Sequence, residues 1–157
     1  MFFRQTSAEY AARSGDKNRA QMQSLVERNR VPGLIAYVDK RPVGWVSVAP
    51  RDQFGRVVRS PLFKHPQPET GVWSIVCFFV HRSHRGRGVA SALVNAAVEH
   101  AVKKGARAVE GYPLDPKLKA KWNSAEAYIG TVEMFAACGF EVVARPKPGR
   151  PLMRYSV

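Results

Sequence analysis

The apolar positions of this chain change period several times, and each change marks a predicted element. Val72 to Val80, "VWSIVCFFV", is nearly continuous in apolar, β-branched and aromatic residues, the pattern of a strand buried on both faces at the centre of a sheet. Between Gly88 and Gly105 the residues Val89, Ala92, Leu93, Ala96, Ala97 and Ala101 recur at helical spacing, and Lys103-Lys104-Gly105 supplies a cationic last turn and a glycine stop. Leu34 to Asp39 and Val43 to Ala49 are β-rich runs joined by the polar Lys40-Arg41-Pro42, which predicts a hairpin. Ala106 to Tyr112 reads as a short strand, and "FEVVAR" and "PLMRYSV" read as strands around the turn-forming "PKPG".

Polar periodicity fills in the helices. Thr6-Ser7-Ala8-Glu9 has the spacing of a capping box, Gly15-Asp16 interrupts the helix it starts, and a weakly amphipathic second helix runs from Lys17 to Asn29 before Pro32-Gly33. Ala125 to Cys138 reads as a helix in spite of Gly130, and the three prolines between Arg59 and Gly71 predict a long mobile loop suited to act as a lid. With a short first strand at "FFR", the order is strand, two helices, three strands, helix, strand, helix, two strands. This is an α/β chain of mixed type with about seven strands and about four helices.

Composition narrows the function classes. At 157 residues and 45% hydrophobic content the chain predicts one domain over residues 1–157. Its 25 Lys plus Arg against 12 Asp plus Glu give a formal charge of +13, a field that favours polyanionic partners. Cys77 and Cys138 have no metal-ligand spacing; they read as buried thiols in a reducing setting, hence a cytoplasmic protein. The longest apolar run, Ile75 to Val80, is too short to span a bilayer and the N-terminus is unlike a signal peptide, so no membrane partner is expected.

"HRSHRGRGVASALV", from His81 to Val94, places basic residues and two glycines between the central strand and a helix. Free N–H groups and the positive end of a helix dipole meet there, a physical recipe for holding phosphate. A Walker A loop is absent. Gly86-x-Gly88-x-x-Ser91 nearly matches a dinucleotide fingerprint, with Glu110 downstream for a ribose. Five residues separate Val80 from Gly86, however, where that fingerprint places its first glycine directly after the strand. His81 and His84, three apart outside a helix, read as solvated loop residues rather than a metal pair. Trp45, Trp73 and Trp122 read as core or rim aromatics.

Arg85-Gly86-Arg87-Gly88-Val89-Ala90 matches an Arg/Gln-x-x-Gly-x-Gly/Ala signature, and with the element order and the downstream "MFAACGF" the chain resembles the GNAT N-acetyltransferases over nearly its whole length. The resemblance implies a mixed, mostly antiparallel sheet with a splayed parallel strand pair, here Val72 to Val80 and Ala106 to Tyr112. It implies acetyl-CoA as acyl donor, with the pyrophosphate on the main chain of Arg85, Gly86, Arg87, Gly88, Val89, Ala90 and Ser91. Pantetheine would pair with the backbone of Phe78 and Val80, an N–H near Phe79 or Val80 would serve as oxyanion donor, and Phe135 would touch the cofactor. The implied reaction is direct attack of an amine on the thioester.

The pattern is broken at Phe135, where many members carry the tyrosine that protonates the leaving thiolate, and at Tyr128, where an asparagine is common. Tyr128 and Glu110 are the catalytic candidates, Asp115, Glu69 and Glu133 the carboxylates behind them. The acceptor is a small-molecule or macromolecular amine that the sequence does not name; the positive charge argues against a free polyamine and for a neutral or anionic acceptor, or an amine carried on tRNA. The competing reading is a non-catalytic acyl-CoA-binding or nucleic-acid-binding module, although no nucleic-acid motif is present. A homodimer is left open.

Overall fold

The computed structural model describes residues 1–13, 15–63, 70–118 and 124–157; Glu69, Trp122 and the stretch 64–69 of the predicted loop lie outside the described residues. The two leading helices are α1 (Ser7–Ala12) and α2 (Asp16–Glu27). The capping box closes at α1: Glu9 N–H donates to Thr6 Oγ1 at 3.1 Å and Thr6 N–H donates to Glu9 Oε2 at 2.8 Å, satisfying two donors that a helix start leaves open. The hairpin is β1 (Leu34–Val38) and β2 (Arg41–Pro50). Its turn is Asp39-Lys40, both at positive φ, one residue earlier than the polar run suggests and typical of a two-residue hairpin loop.

Two predicted elements change type. "FFR" is a turn of 3-10 helix, Phe2–Arg4, whose Phe3 is buried, so the sheet has six strands rather than seven among the described residues. The helix predicted from Ala125 to Cys138 is divided. A 3-10 turn covers Ser124–Ile129, Gly130 takes a φ of +81°, and α5, as it is numbered below, occupies Val132–Ala137 with Thr131 as its cap. Thr131 accepts from the Met134 N–H at 3.3 Å, the usual work of an N-cap threonine. A short α3 (Gly55–Arg59) leads up to the predicted loop, and the start of that loop holds a 3-10 turn at Pro61–Phe63.

The remaining elements follow the sequence pattern: β3 (Val72–Val80), α4 (Val89–Lys103), β4 (Ala108–Gly111), then α5, β5 (Glu141–Lys147) and β6 (Arg150–Ser156). Strand order is β1-β2-β3-β4-β6-β5, antiparallel throughout except for β3 with β4. Both faces of β3 are covered. On one, Ile75 and Phe78 pack with Leu93, Val94, Ala97, Val98 and Ala101 of α4; on the other, Val76 packs with Phe3, Phe54 and Tyr112.

The buried stripe of α4 is rotated from the predicted one. Ala92 is exposed while Val94 and Val98 face the sheet, because a buried valine removes about 1.5–3 kcal/mol worth of apolar surface from water and an alanine far less. Helix and sheet approach closely at Gly44 of β2, where a Cβ would lie 2.9 Å from Val89 Cγ1. This contact seats the start of α4 directly beneath the hairpin.

Candidate active site

Strands β3 and β4 pair in parallel only from Val72 with Ala108 to Ile75 with Gly111. Past that point β4 ends, and the chain it feeds pairs through a single bridge of Leu114 with Thr131, while β3 continues to Val80 against β2 alone. Phe135 packs on the sheet face at this point. Its ring packs edge-on to Phe78, 5.9 Å between centroids, and lies against the bare backbone of Gly111 in the place where a Cβ would sit. The His81 N–H donates to Val43 O at 2.8 Å. Strand alternation therefore turns the main-chain groups of Phe79 toward β2 and those of Phe78 and Val80 toward the open side. Among the two residues expected near the oxyanion position, only Val80 has its N–H on that side.

The turn after β3 prolongs this edge. Arg85 Nε donates back to Val80 O at 3.0 Å, and His81 and His84 share the Ser83 hydroxyl at 2.7 and 2.8 Å. Gly86 and Gly88 have φ of +70° and +76°, and a Cβ on either would meet no atom within 4 Å. Gly88 is the N-cap of α4 and has no side chain to cap it. The N–H groups of Val89, Ala90 and Ser91 are first-turn donors that a helix cannot satisfy internally, and they carry the positive end of its dipole.

On the face of β3 opposite α4, a cavity of about 350 Å³ lies between the α1 and α2 segment and the sheet, lined among others by Arg4, Tyr10, Met22, Trp45, Cys77 and Tyr128. A second cavity of about 570 Å³ includes Phe63, Tyr112 and Arg150, and Phe2, Phe3 and Tyr128 line both. Tyr128 is 40% exposed, and burial is the main influence raising its pKa, so the hydroxyl keeps its proton through the neutral range. Cys77 and Cys138 are half-buried rather than fully so, and burial pushes both thiols up.

A sequence model of the Acetyltransferase (GNAT) family matches residues 2–117. The chain belongs to that family. No curated protein matches it in sequence. Among solved structures it is similar to the ribosomal-protein-alanine N-acetyltransferase of Brucella melitensis, with a TM-score of 0.58 and 17% identity over 90% of this chain and 78% of that one. It is also similar to the PaiA N-acetyltransferase of Thermoplasma acidophilum in complex with coenzyme A, with a TM-score of 0.56 and 12% identity over 90% and 71%. These likenesses support the fold: a mixed sheet with one parallel pair, as the family signature implies. No helix among the described residues is long and apolar enough to cross a membrane.

The structure separates the residues proposed from the sequence. Phe78, Val80 and Arg85 to Ser91 lie along the open edge of β3 and the start of α4, whereas the main chain of Phe79 faces β2. Phe135, expected to touch the cofactor, is fully buried and packs against Phe78 and Phe140; its ring presents no surface. Glu110, expected near the reaction, is fully buried within the paired part of β3 and β4, opposite Ser74. Arg154 Nη2 donates to its Oε1 at 2.9 Å, Arg51 Nε lies 3.6 Å from its Oε2, and the Tyr112 hydroxyl donates to Oε2 at 3.1 Å. Asp115 is likewise bound to Arg145 at 3.0 Å, and Glu133 is half-exposed beside Lys117.

Sequence reasoning missed Arg4, Tyr10, Met22 and Cys77 as cavity walls. "FFR" read as a strand hides them, and the only available signal was an arginine immediately after two aromatics at the chain start.

Proposed function

We propose that this family member is an acetyl-CoA-dependent N-acetyltransferase that transfers an acetyl group to an amine. The observation that carries the reading is the open main-chain edge of β3, followed after one short turn by the uncapped start of α4. The residues present fit coenzyme A: a Cβ at Gly86 or Gly88 would project into free space beside the loop, so unsubstituted backbone is what the loop offers a pyrophosphate. Phe78 and Val80 would hold the pantetheine amides, and Arg85 to Ser91 the phosphates. Acetyl-CoA, when bound, supplies an acetyl group activated as a thioester.

The chain's own residues have three tasks around it. The Val80 N–H is the main-chain donor we assign to the developing oxyanion. The cavity under Trp45 and Cys77 excludes water and orients the amine. Tyr128 Oη holds a proton at the rim of both cavities and is the group we assign as general acid, in place of the hydroxyl that Phe135 lacks. Tyr128→Phe is expected to lower kcat about a hundredfold, at the low end of what a positioned acid contributes, with little change in acetyl-CoA affinity. An unchanged kcat would remove Tyr128 from the chemistry.

Calorimetric titration with acetyl-CoA, with NADH as control, tests the function itself. Micromolar binding of acetyl-CoA alone supports it, and absence of binding by the folded protein overturns it. A second reading, acyl-CoA binding without transfer, draws on the buried, hydroxyl-free Phe135; it is separated by release of free coenzyme A thiol in the presence of an amine.

A further inference from the structure

Arg4 is a guanidinium that has no carboxylate partner among the described residues. It lines the 350 Å³ cavity, and its Nη1 and Nη2 donate only to neutral oxygens, Gln53 Oε1 at 3.2 Å and Pro32 O at 3.4 Å. Its Nε is buried with no acceptor, and its central carbon stands 4.5 Å over the Phe54 ring. Burial draws its pKa down to about 10, which leaves it charged at neutral pH. A buried charge without a counter-ion is costly, and a carboxylate entering the cavity would offset that cost with charge-assisted hydrogen bonds.

The rest of the wall defines the other part of the ligand. Phe2, Phe3, Tyr10, Trp45, Phe54 and Tyr128 make it aromatic, and no acidic residue lines it among the described residues. A second cation is thus given nothing to pair with, while a flat apolar group finds rings on several sides. The volume falls at the small end of the ~300–1,000 Å³ usual for small-molecule sites, which suits one amino acid better than a peptide. A second guanidinium, Arg56, lies 3.8 Å over the Phe2 ring with Nη2 buried and unpartnered, which places another cation at this corner.

We infer that the cavity takes a primary amine that also carries a carboxylate and an aromatic or bulky apolar side chain, the chemistry of an apolar α-amino acid, with Arg4 as the carboxylate receptor. The inference deepens the proposed acetyl transfer and rests on it for the fate of the amine, but not for the binding.

The test is therefore a binding measurement on the full chain. Calorimetry with L-phenylalanine, L-phenylalaninamide, glycine and spermidine is expected to show L-phenylalanine bound at least ~10-fold more tightly than each of the others: than the amide and spermidine because one charge-assisted pair contributes about 1.5–3 kcal/mol, and than glycine because burying an aromatic side chain contributes about as much. Arg4→Met is expected to bring L-phenylalanine down to the affinity of its amide while leaving the amide unchanged. An equal fall for both would give Arg4 a packing role only and overturn the inference. So would equal binding of acid and amide by the unaltered protein, a comparison that stands even where Arg4→Met does not fold, or tighter binding of glycine or spermidine. Acetyl-CoA binding without any preference among these amines sinks the acceptor assignment alone. Preference for L-phenylalanine without acetyl-CoA binding sinks the transferase reading and leaves the cavity's ligand standing.

Discussion

Gly88→Leu is expected to weaken acetyl-CoA binding about a thousandfold while lowering Tm by only a few degrees. The first effect follows from two or three main-chain N–H groups losing an anionic partner, each such bond being worth about 1.5–3 kcal/mol. A leucine side chain on Gly88 would occupy the free space beside the loop and hold a phosphate off the first turn of α4. The second effect is the strain of a non-glycine residue at φ +76°, roughly 1–2 kcal/mol, and a domain of this length loses about 2–4 °C per kcal/mol.

Gly105 supplies the control. It closes the other end of α4 with a φ of +82° and equally free surroundings, so Gly105→Leu carries the same strain about 25 Å away, at 1.5 Å per residue. Acetyl-CoA affinity unchanged in Gly105→Leu and lost in Gly88→Leu locates the effect at the loop. Equal losses would attribute it to a loosened helix, and retained affinity in Gly88→Leu would end the assignment of this loop to the cofactor.

What the sequence made legible is the part of the molecule governed by local rules. The run Val72–Val80 has only one place to go, the capping box at Thr6 is closed by neighbours in sequence, and the glycines at 86 and 88 advertise the turn they make. The residues assigned to the cofactor lie close together in the chain, at the end of β3 and the start of α4, so their placement in the fold was readable from local pattern. The opposite cavity was not, because it is assembled from segments far apart: Arg4, Tyr10 and Met22 from the first elements, Trp45 and Cys77 from the sheet, Tyr128 from the turn before α5. Three residues such as "FFR" carry too little periodicity to tell a strand from a 3-10 turn, and that ambiguity concealed the cavity's arginine. Phe135 illustrates the reverse. Its position in the motif suggested cofactor contact, whereas its packing on Gly111 depends on a glycine two elements away.

Glu110 shows why a carboxylate near a proposed site needs its partners before it is given a role. Two arginines from different parts of the chain, Arg51 after β2 and Arg154 on β6, converge on it, and Arg51 also donates to Phe63 O at 2.6 Å, tying the 3-10 turn to the sheet. The Tyr112 hydroxyl donates to the same carboxylate and lies 2.8 Å from Ser74 Oγ. Burial, then the adjoining Glu110 charge, pushes the Tyr112 pKa up, so that hydroxyl remains a donor. We propose that Glu110 is the counter-ion of this buried group rather than a proton acceptor.

Glu110→Ala is then expected to destabilise the protein by about 3–5 kcal/mol, the usual consequence of leaving buried charges unpaired, which is a fall in Tm of about 10 °C at this chain length. Turnover per folded molecule, measured below the shifted transition, should stay within a few-fold of the unaltered enzyme. Glu110→Gln separates the two roles further, since the amide keeps the volume and loses the charge. If Glu110 were the base, that variant would keep most of its Tm and lose its activity. If it is the counter-ion, Tm falls and activity is kept, because the two guanidiniums lose the carboxylate on which both converge.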